Sequence, residues 1–184
     1  MTENAIITTN PPSTIQDLVD LTKPSLSTLV LVTAGGGLWL SQTPVTWIQG
    51  ASAVLGTTLV VGGANVLNCY LERESDKRMT RTASRPLPDE RMSPRTALVF
   101  GLILSLSSVH LLTLLTTPLA GFLAAIALLI YVLIYTPMKR SSALSTMIGA
   151  IPGAMPPLIG WTAATGTLDP GGIALFFLLF LWQI

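Results

Sequence analysis

Charged side chains are scarce in this sequence. Only 10% of its 184 residues are Asp, Glu, Lys or Arg, whereas 50% are hydrophobic and the mean hydropathy is +0.64. Soluble domains carry about 25% charged residues. The shortage of charge argues against a water-soluble globular domain, and the composition indicates a membrane protein.

Cysteine and an excess of either charge are also lacking. The single cysteine, Cys69, excludes a disulfide within the chain, and a lone thiol on a helix flank is more often packed than a ligand. The formal net charge of +1 gives no reason to expect a nucleic-acid partner. Residues 1–22 lack the basic start and apolar core of a signal peptide.

Long uncharged runs define the predicted helices. No charged residue occurs from Ser25 to Leu71 or from Thr96 to Met138. A bilayer span needs about 20 residues, so each run holds two helices. A fifth helix follows Lys139, and its run from Gly149 to Pro157 is expected to bend or break it. The sequence predicts an all-α integral membrane bundle with five full spans and the start of a sixth: 24–41, 47–71, 95–115, 119–137, 142–161 and 173–182.

The basic residues predict the topology. All ten lie at one side of the predicted helices, at Lys23, between Arg73 and Arg95, and at 139–140. The loops at the opposite side carry none. The positive-inside rule therefore places the N-terminus and the polar loop of about 68–95 in the cytoplasm.

The chain divides into a cytoplasmic segment, 1–23, and a transmembrane bundle, 24–184. Apolar residues in the first segment recur at i, i+3 and i+4 opposite two acids, which predicts a short helix at the membrane interface. These residues are Ile15, Leu18 and Val19, opposite Asp17 and Asp20.

Polar residues at the end of the second predicted span share a helical face. Asn68, Glu72 and Asp76 are spaced i, i+4 and i+8. Two carboxylates and an amide offer oxygen ligands for Mg²⁺, which often binds substrate phosphates as well. Arg and Lys residues follow and suit phosphate oxygens. The alternative is a solvated, charged helix end that only anchors the topology.

The same stretch resembles the first acidic motif of the UbiA-type intramembrane prenyltransferases, and within them the branch that farnesylates heme. Leu21-Thr-Lys-Pro24, Tyr135-Thr-Pro-Met-Lys139-Arg140 and the run from Gly149 to Trp161 support that branch. The matching pattern is Asn68-x3-Glu72-x3-Asp76-x2-Met79-x-Arg81-Thr82-x2-Arg85-Pro86-Leu87.

The resemblance implies a bundle of nine transmembrane helices in a bacterial plasma (inner) membrane, with two acidic motifs that bind Mg²⁺ and diphosphate. The implied reaction transfers the farnesyl group of farnesyl diphosphate to a vinyl group of heme B and gives heme O, for heme–copper oxidase assembly. Heme A synthase or oxidase assembly proteins are the implied partners. Two alternatives stay open: a UbiA-type aromatic prenyltransferase of quinone or chlorophyll biosynthesis, and a membrane transporter or scaffold.

The resemblance also implies residue roles. Asn68, Glu72 and Asp76 would be ligands of the metal and diphosphate, and Lys139 would act most directly on the leaving group. The remaining diphosphate contacts would come from Arg81, Arg85, Arg140 and Lys23.

Two departures from the family pattern bear on these roles. Glu72 stands where the pattern usually has Asp, with the same charge and donor type. The second acidic motif is missing, so the sequence is expected to be a C-terminally truncated chain that is inactive alone.

Overall fold

The computed structural model describes residues 14–184, which form seven helices and no strand. Residues 1–13, part of the predicted N-terminal segment, lie outside the described residues. The helices are α1 Thr14–Leu21, α2 Pro24–Leu40, α3 Trp47–Asp76, α4 Pro94–Leu115, α5 Pro118–Met138, α6 Ser145–Thr165 and α7 Pro170–Gln183.

Local sequence explains where four of these helices begin. Proline occupies the first position of α2, α4, α5 and α7, where its missing N–H costs no helical hydrogen bond. The side chains of Ser93, Thr117 and Asp169 accept hydrogen bonds from the free N–H groups at the starts of α4, α5 and α7. These signals explain why the predicted helix starts lie within a few residues of the observed ones.

The structure confirms an all-helical membrane protein. Within residues 14–184, three helices are long and apolar enough to cross a bilayer: Trp47–Asp76, Pro94–Leu115 and Pro118–Met138. Helices α2 and α7 are shorter apolar helices. The count of five complete spans stays a prediction.

The fifth span was expected to bend or break, and the break is wrong. Helix α6 is continuous from Ser145 to Thr165 although Pro152, Pro156 and Pro157 lie inside it. All three prolines are buried, so neighbouring helices enclose the segment in which backbone hydrogen bonds are lost. Tertiary packing therefore overrides the helix-breaking tendency of proline here.

Close backbone contact between α2 and α6 explains part of this packing. A Cβ added at Gly37 would overlap the carbonyl group of Pro157, and one at Gly160 would overlap the carbonyl group of Ala34. Small residues allow membrane helices to approach in this way. The main core lies beside this contact, where α3, α4, α5 and α6 meet around Val60, Leu112 and Ile159.

We expect Gly37→Ala to lower the free energy of unfolding by roughly 1–3 kcal/mol, because the new methyl group meets backbone that cannot rotate away. Gly36→Ala on the same helix is the matched control, since nothing lies within 4 Å of its added Cβ. Thermal unfolding in detergent measures both variants. Equal melting temperatures for the Gly37→Ala and Gly36→Ala proteins would contradict the prediction.

Candidate functional site

The polar face predicted from spacing lies near the end of α3. Asn68, Glu72 and Asp76 occur on one continuous helix, and their exposed fractions are only 2%, 6% and 5%. Buried carboxylates need partners, because an unpaired charge away from water is costly. The burial therefore disfavours a solvated helix end as the explanation of these side chains.

Each of the three side chains has a cationic partner from another part of the chain. Lys23 Nζ donates to Asn68 Oδ1 at 3.1 Å, and Arg85 Nη1 lies 2.7 Å from Asp76 Oδ2. Lys139 Nζ lies 3.3 and 3.4 Å from the two carboxylate oxygens of Glu72. The fold thus collects Lys23, Arg85 and Lys139, all named from the sequence, against the acidic face.

Lys23 is held in an unfavourable environment. Its backbone is left-handed, with φ 53°, which is uncommon for a residue with a side chain. Burial lowers the pKa of Lys23, with Arg85 and Lys139 acting in the same direction and Cys69 and Glu72 opposing it. A bound anion at this place would stabilise the charged form of the lysine.

A widened turn in α5 brings Lys139 to the site. Residues Ile130–Tyr135 form a π-helical segment just before Pro137, which has no N–H to donate. A proline in a regular α-helix clashes with the carbonyl group four residues earlier, and the wider turn relieves that clash. Single π turns of this kind occur frequently at functional sites.

Thr136 is a site residue that the sequence analysis missed. Its hydroxyl group accepts a hydrogen bond from Asn68 Nδ2 at 3.2 Å and donates to the carbonyl oxygen of Tyr131 at 2.8 Å. This pair of bonds directs the amide oxygen of Asn68 towards Lys23. Thr136 could have been found from the sequence, because it lies within the 135–140 motif. Only Lys139 and Arg140 of that motif were given roles.

A cavity of about 610 Å³ lies beside Lys139, the partner of Glu72. Asn65, Tyr131 and Tyr135 contribute polar groups to a lining that is otherwise mainly apolar. Lys139 also lines the cavity, and it is the residue that links the cavity to Glu72. An elongated apolar ligand with an anionic head could therefore lie in the cavity with its head at Lys139.

Among residues 14–184, two predicted diphosphate residues make no hydrogen bond or ion pair with the carboxylates. The side chain of Arg81 is exposed and makes no hydrogen bond or ion pair with residues 14–184. Arg140 is also exposed and donates to the hydroxyl group of Ser75. Their roles stay predictions.

The donor set fits Mg²⁺ only together with another ligand. Among residues 14–184, no three His, Cys, Asp or Glu side chains form a group that could hold a metal ion alone. Glu72, Asp76 and the amide oxygen of Asn68 supply three hard donors, and Mg²⁺ commonly completes its shell with water and substrate phosphates. The residues present therefore fit a shared metal–diphosphate site.

The sequence of this chain is similar to those of known prenyltransferases. The chain is 53% identical to the protoheme IX farnesyltransferase of Anaeromyxobacter sp. (strain Fw109-5), across 94% of this chain and 60% of that protein. It is 49% identical to the protoheme IX farnesyltransferase of Myxococcus xanthus (strain DK1622), across 94% and 59%. The chain thus spans about 60% of the length of the curated relatives it matches.

A solved structure shares the fold of this chain, and a family model matches its sequence. The apo structure of a UbiA homolog from Aeropyrum pernix K1 superposes with a TM-score of 0.69, at 23% identity, over 85% of this chain and 59% of that one. The model of the UbiA prenyltransferase family matches residues 29–184. The resemblance predicted from the acidic motif is confirmed, and this chain belongs to the UbiA prenyltransferase family.

Proposed function

We propose that the whole protein transfers the farnesyl group of farnesyl diphosphate to a vinyl group of heme B and so produces heme O. The names of the relatives at 49–53% identity support this choice of substrates. The observation that carries the proposal is the position of Lys139, which joins a large, mainly apolar cavity to the buried acidic face of α3. A prenyl chain suits the cavity, and its diphosphate suits the cluster of cations.

The chemistry requires a stabilised leaving group and little water. The C1–O bond of farnesyl diphosphate breaks, and its electron pair leaves with the diphosphate. C1 then bonds to the terminal carbon of the vinyl group, and the resulting cation takes up a water oxygen and loses a proton. The apolar lining of the cavity limits premature capture of the allylic cation by water.

The cations of the site take part in binding and departure of the diphosphate. Lys139, Lys23 and Arg85 each lie against an oxygen of the acidic face. In a metal–diphosphate complex, the phosphate oxygens would accept hydrogen bonds from these cations, and the oxygens that the cations leave would bind the metal. When bound at Glu72, Asp76 and Asn68, Mg²⁺ would neutralise charge that develops on the diphosphate. Arg81 and Arg140 are the outer candidates for the same anion.

We further propose a bacterial plasma (inner) membrane location with the N-terminus and acidic face at the cytoplasm. The restriction of all ten basic residues to one side of the helices supports this orientation. Heme O then supplies heme–copper oxidase assembly, with heme A synthase or oxidase assembly proteins as partners in the bilayer.

A product assay tests the proposal. Membranes that contain the full-length protein, supplied with heme B, farnesyl diphosphate and Mg²⁺, are expected to form heme O, detected by chromatography and mass spectrometry. Addition of a chelator is expected to stop product formation. Prenylation of 4-hydroxybenzoate in place of heme B would instead identify an aromatic prenyltransferase. Absence of any prenylated product would favour the transporter or scaffold alternative.

A further inference from the structure

Helix α1 is tied to the polar loop after α3 by a buried ion pair. Asp17 has an exposed fraction of only 2%, and its Oδ1 accepts a hydrogen bond from Arg91 Nη1. The apolar residues Ile15 and Val19, on the opposite side of α1, are exposed at 75% and 49%. Asp17 therefore faces protein.

Arg91 also holds the loop in two other places. Its Nη2 donates to the carbonyl oxygen of Ser84 at 2.8 Å, and its Nε donates to Asp89 Oδ2 at 2.7 Å. Ser84 directly precedes Arg85, the partner of Asp76. We call Asp17, Arg91 and the carbonyl group of Ser84 the α1 clamp.

The other end of α1 sets the position of Lys23. Leu21 is 1% exposed and packs in a cluster with Val66 and Cys69 of α3 and with Leu87 of the loop. Two residues later Lys23 adopts its left-handed conformation, and its backbone N–H donates to the carbonyl oxygen of Asp20 at 3.1 Å. Packing of α1 thus stabilises a backbone conformation that aims the lysine at Asn68.

Two members of the clamp, Arg91 and Ser84, share one small cavity with Lys23 and Arg85. Lys23, Arg85 and Arg91 line a common cavity of about 160 Å³, together with Ser84 and Cys69. We therefore expect a displacement of Arg91 to shift Lys23 and Arg85, the two cations that contact Asn68 and Asp76.

We propose that Asp17 and Arg91 are positioning residues for diphosphate binding, because the α1 clamp holds Lys23 and Arg85 at the acidic face. This inference rests on the proposed function, since it concerns the same diphosphate. Neither Asp17 nor Arg91 contacts Asn68, Glu72 or Asp76 in the described part of the chain. Their effect is transmitted through the loop and α1.

Steady-state kinetics of the full-length protein test the inference. Arg91→Lys keeps the charge but loses the planar fork that reaches three acceptors. Asp17→Asn removes the charge from the pair and keeps the shape. For both, we expect the KM for farnesyl diphosphate to rise about tenfold, equivalent to one weakened charge-assisted contact, with kcat changed less than about twofold.

The control is another ion pair of the same loop. Lys77 Nζ lies 2.8 Å from Glu90 Oε1, and both side chains are exposed, at 38% and 78%. Glu90→Gln is expected to leave both kinetic constants unchanged. Asp17→Glu, which retains the carboxylate, is expected to keep KM closer to that of the wild type than Asp17→Asn does.

The outcomes separate the two proposals. If the wild-type protein forms heme O and both clamp variants have the wild-type KM for farnesyl diphosphate, the positioning role is overturned and the proposed function stands. Variants that lose melting temperature and kcat in parallel, at unchanged KM, would show a clamp that only stabilises the fold. A wild-type protein that neither binds nor consumes farnesyl diphosphate would overturn the proposed function, and the positioning role with it.

Discussion

Simultaneous replacement of Glu72 by Gln and Asp76 by Asn is expected to reduce farnesyl transfer by about 10³-fold or more. The substituted side chains keep the size and part of the hydrogen bonding but lose both negative charges of the acidic face. A metal–diphosphate ligand then meets Lys23, Arg85 and Lys139 without the carboxylates that would hold the metal. Heme O formation and Mg²⁺-dependent binding of farnesyl diphosphate by the purified full-length protein measure the effect.

The matched control for this experiment lies on the same helix. Glu74 falls between the two carboxylates in sequence, but its side chain is 69% exposed and its ion-pair partner is Arg73, at 3.6 Å. Glu74→Gln is therefore expected to retain activity. Glu72→Asp restores the residue that the family pattern usually has, and it should also remain active. Prenyl transfer at the wild-type rate in the double variant would refute the metal assignment.

Local periodicity explains what could be predicted of this site. Asn68, Glu72 and Asp76 share a face because a helix repeats every 3.6 residues, and the run before them is apolar enough to form that helix. The spacing of these residues did not predict that they are buried. Their burial depends on distant parts of the chain. Helix α1 and the 77–93 loop pack at this end of α3, and Thr136 and Lys139 contact Asn68 and Glu72.

Contacts between residues far apart in the sequence could not be predicted. Lys23 meets Asn68 across 45 residues, and Lys139 meets Glu72 across 67. The resemblance suggested roles for both lysines but not their partners, because a pairwise contact depends on how the helices assemble. Thr136 was missed for the same reason, since its partner Asn68 lies 68 residues earlier.

Proline produced one error and one omission. Pro152 and its neighbours were expected to bend or break α6, but the helix is unbroken and these prolines are buried between helices. Pro137 was given no structural effect, although a π-helical segment forms immediately before it. In both places proline removes a backbone hydrogen-bond donor, and tertiary packing decides how the helix accommodates the loss.

Lys139→Met is expected to lower kcat for farnesyl transfer by about 10²-fold, comparable with the loss of one donor to a developing anion. Methionine keeps most of the length of the side chain and removes its charge. Lys139 lines the main cavity and contacts Glu72, so it is well placed to act on the diphosphate while the C1–O bond breaks. Because charge on the leaving group grows in the transition state, kcat should fall more than KM rises.

The Mg²⁺ dependence of this variant separates two roles for Lys139. If the lysine served only to neutralise buried Glu72, its loss would free the carboxylate, and half-maximal activity would need less Mg²⁺ with kcat largely kept. If the lysine stabilises the departing diphosphate, kcat falls at every Mg²⁺ concentration, and Lys139→Arg recovers part of it by retaining the charge. The second pattern is expected, since the side chain is 47% exposed, which leaves its ammonium group free to exchange Glu72 for a phosphate oxygen.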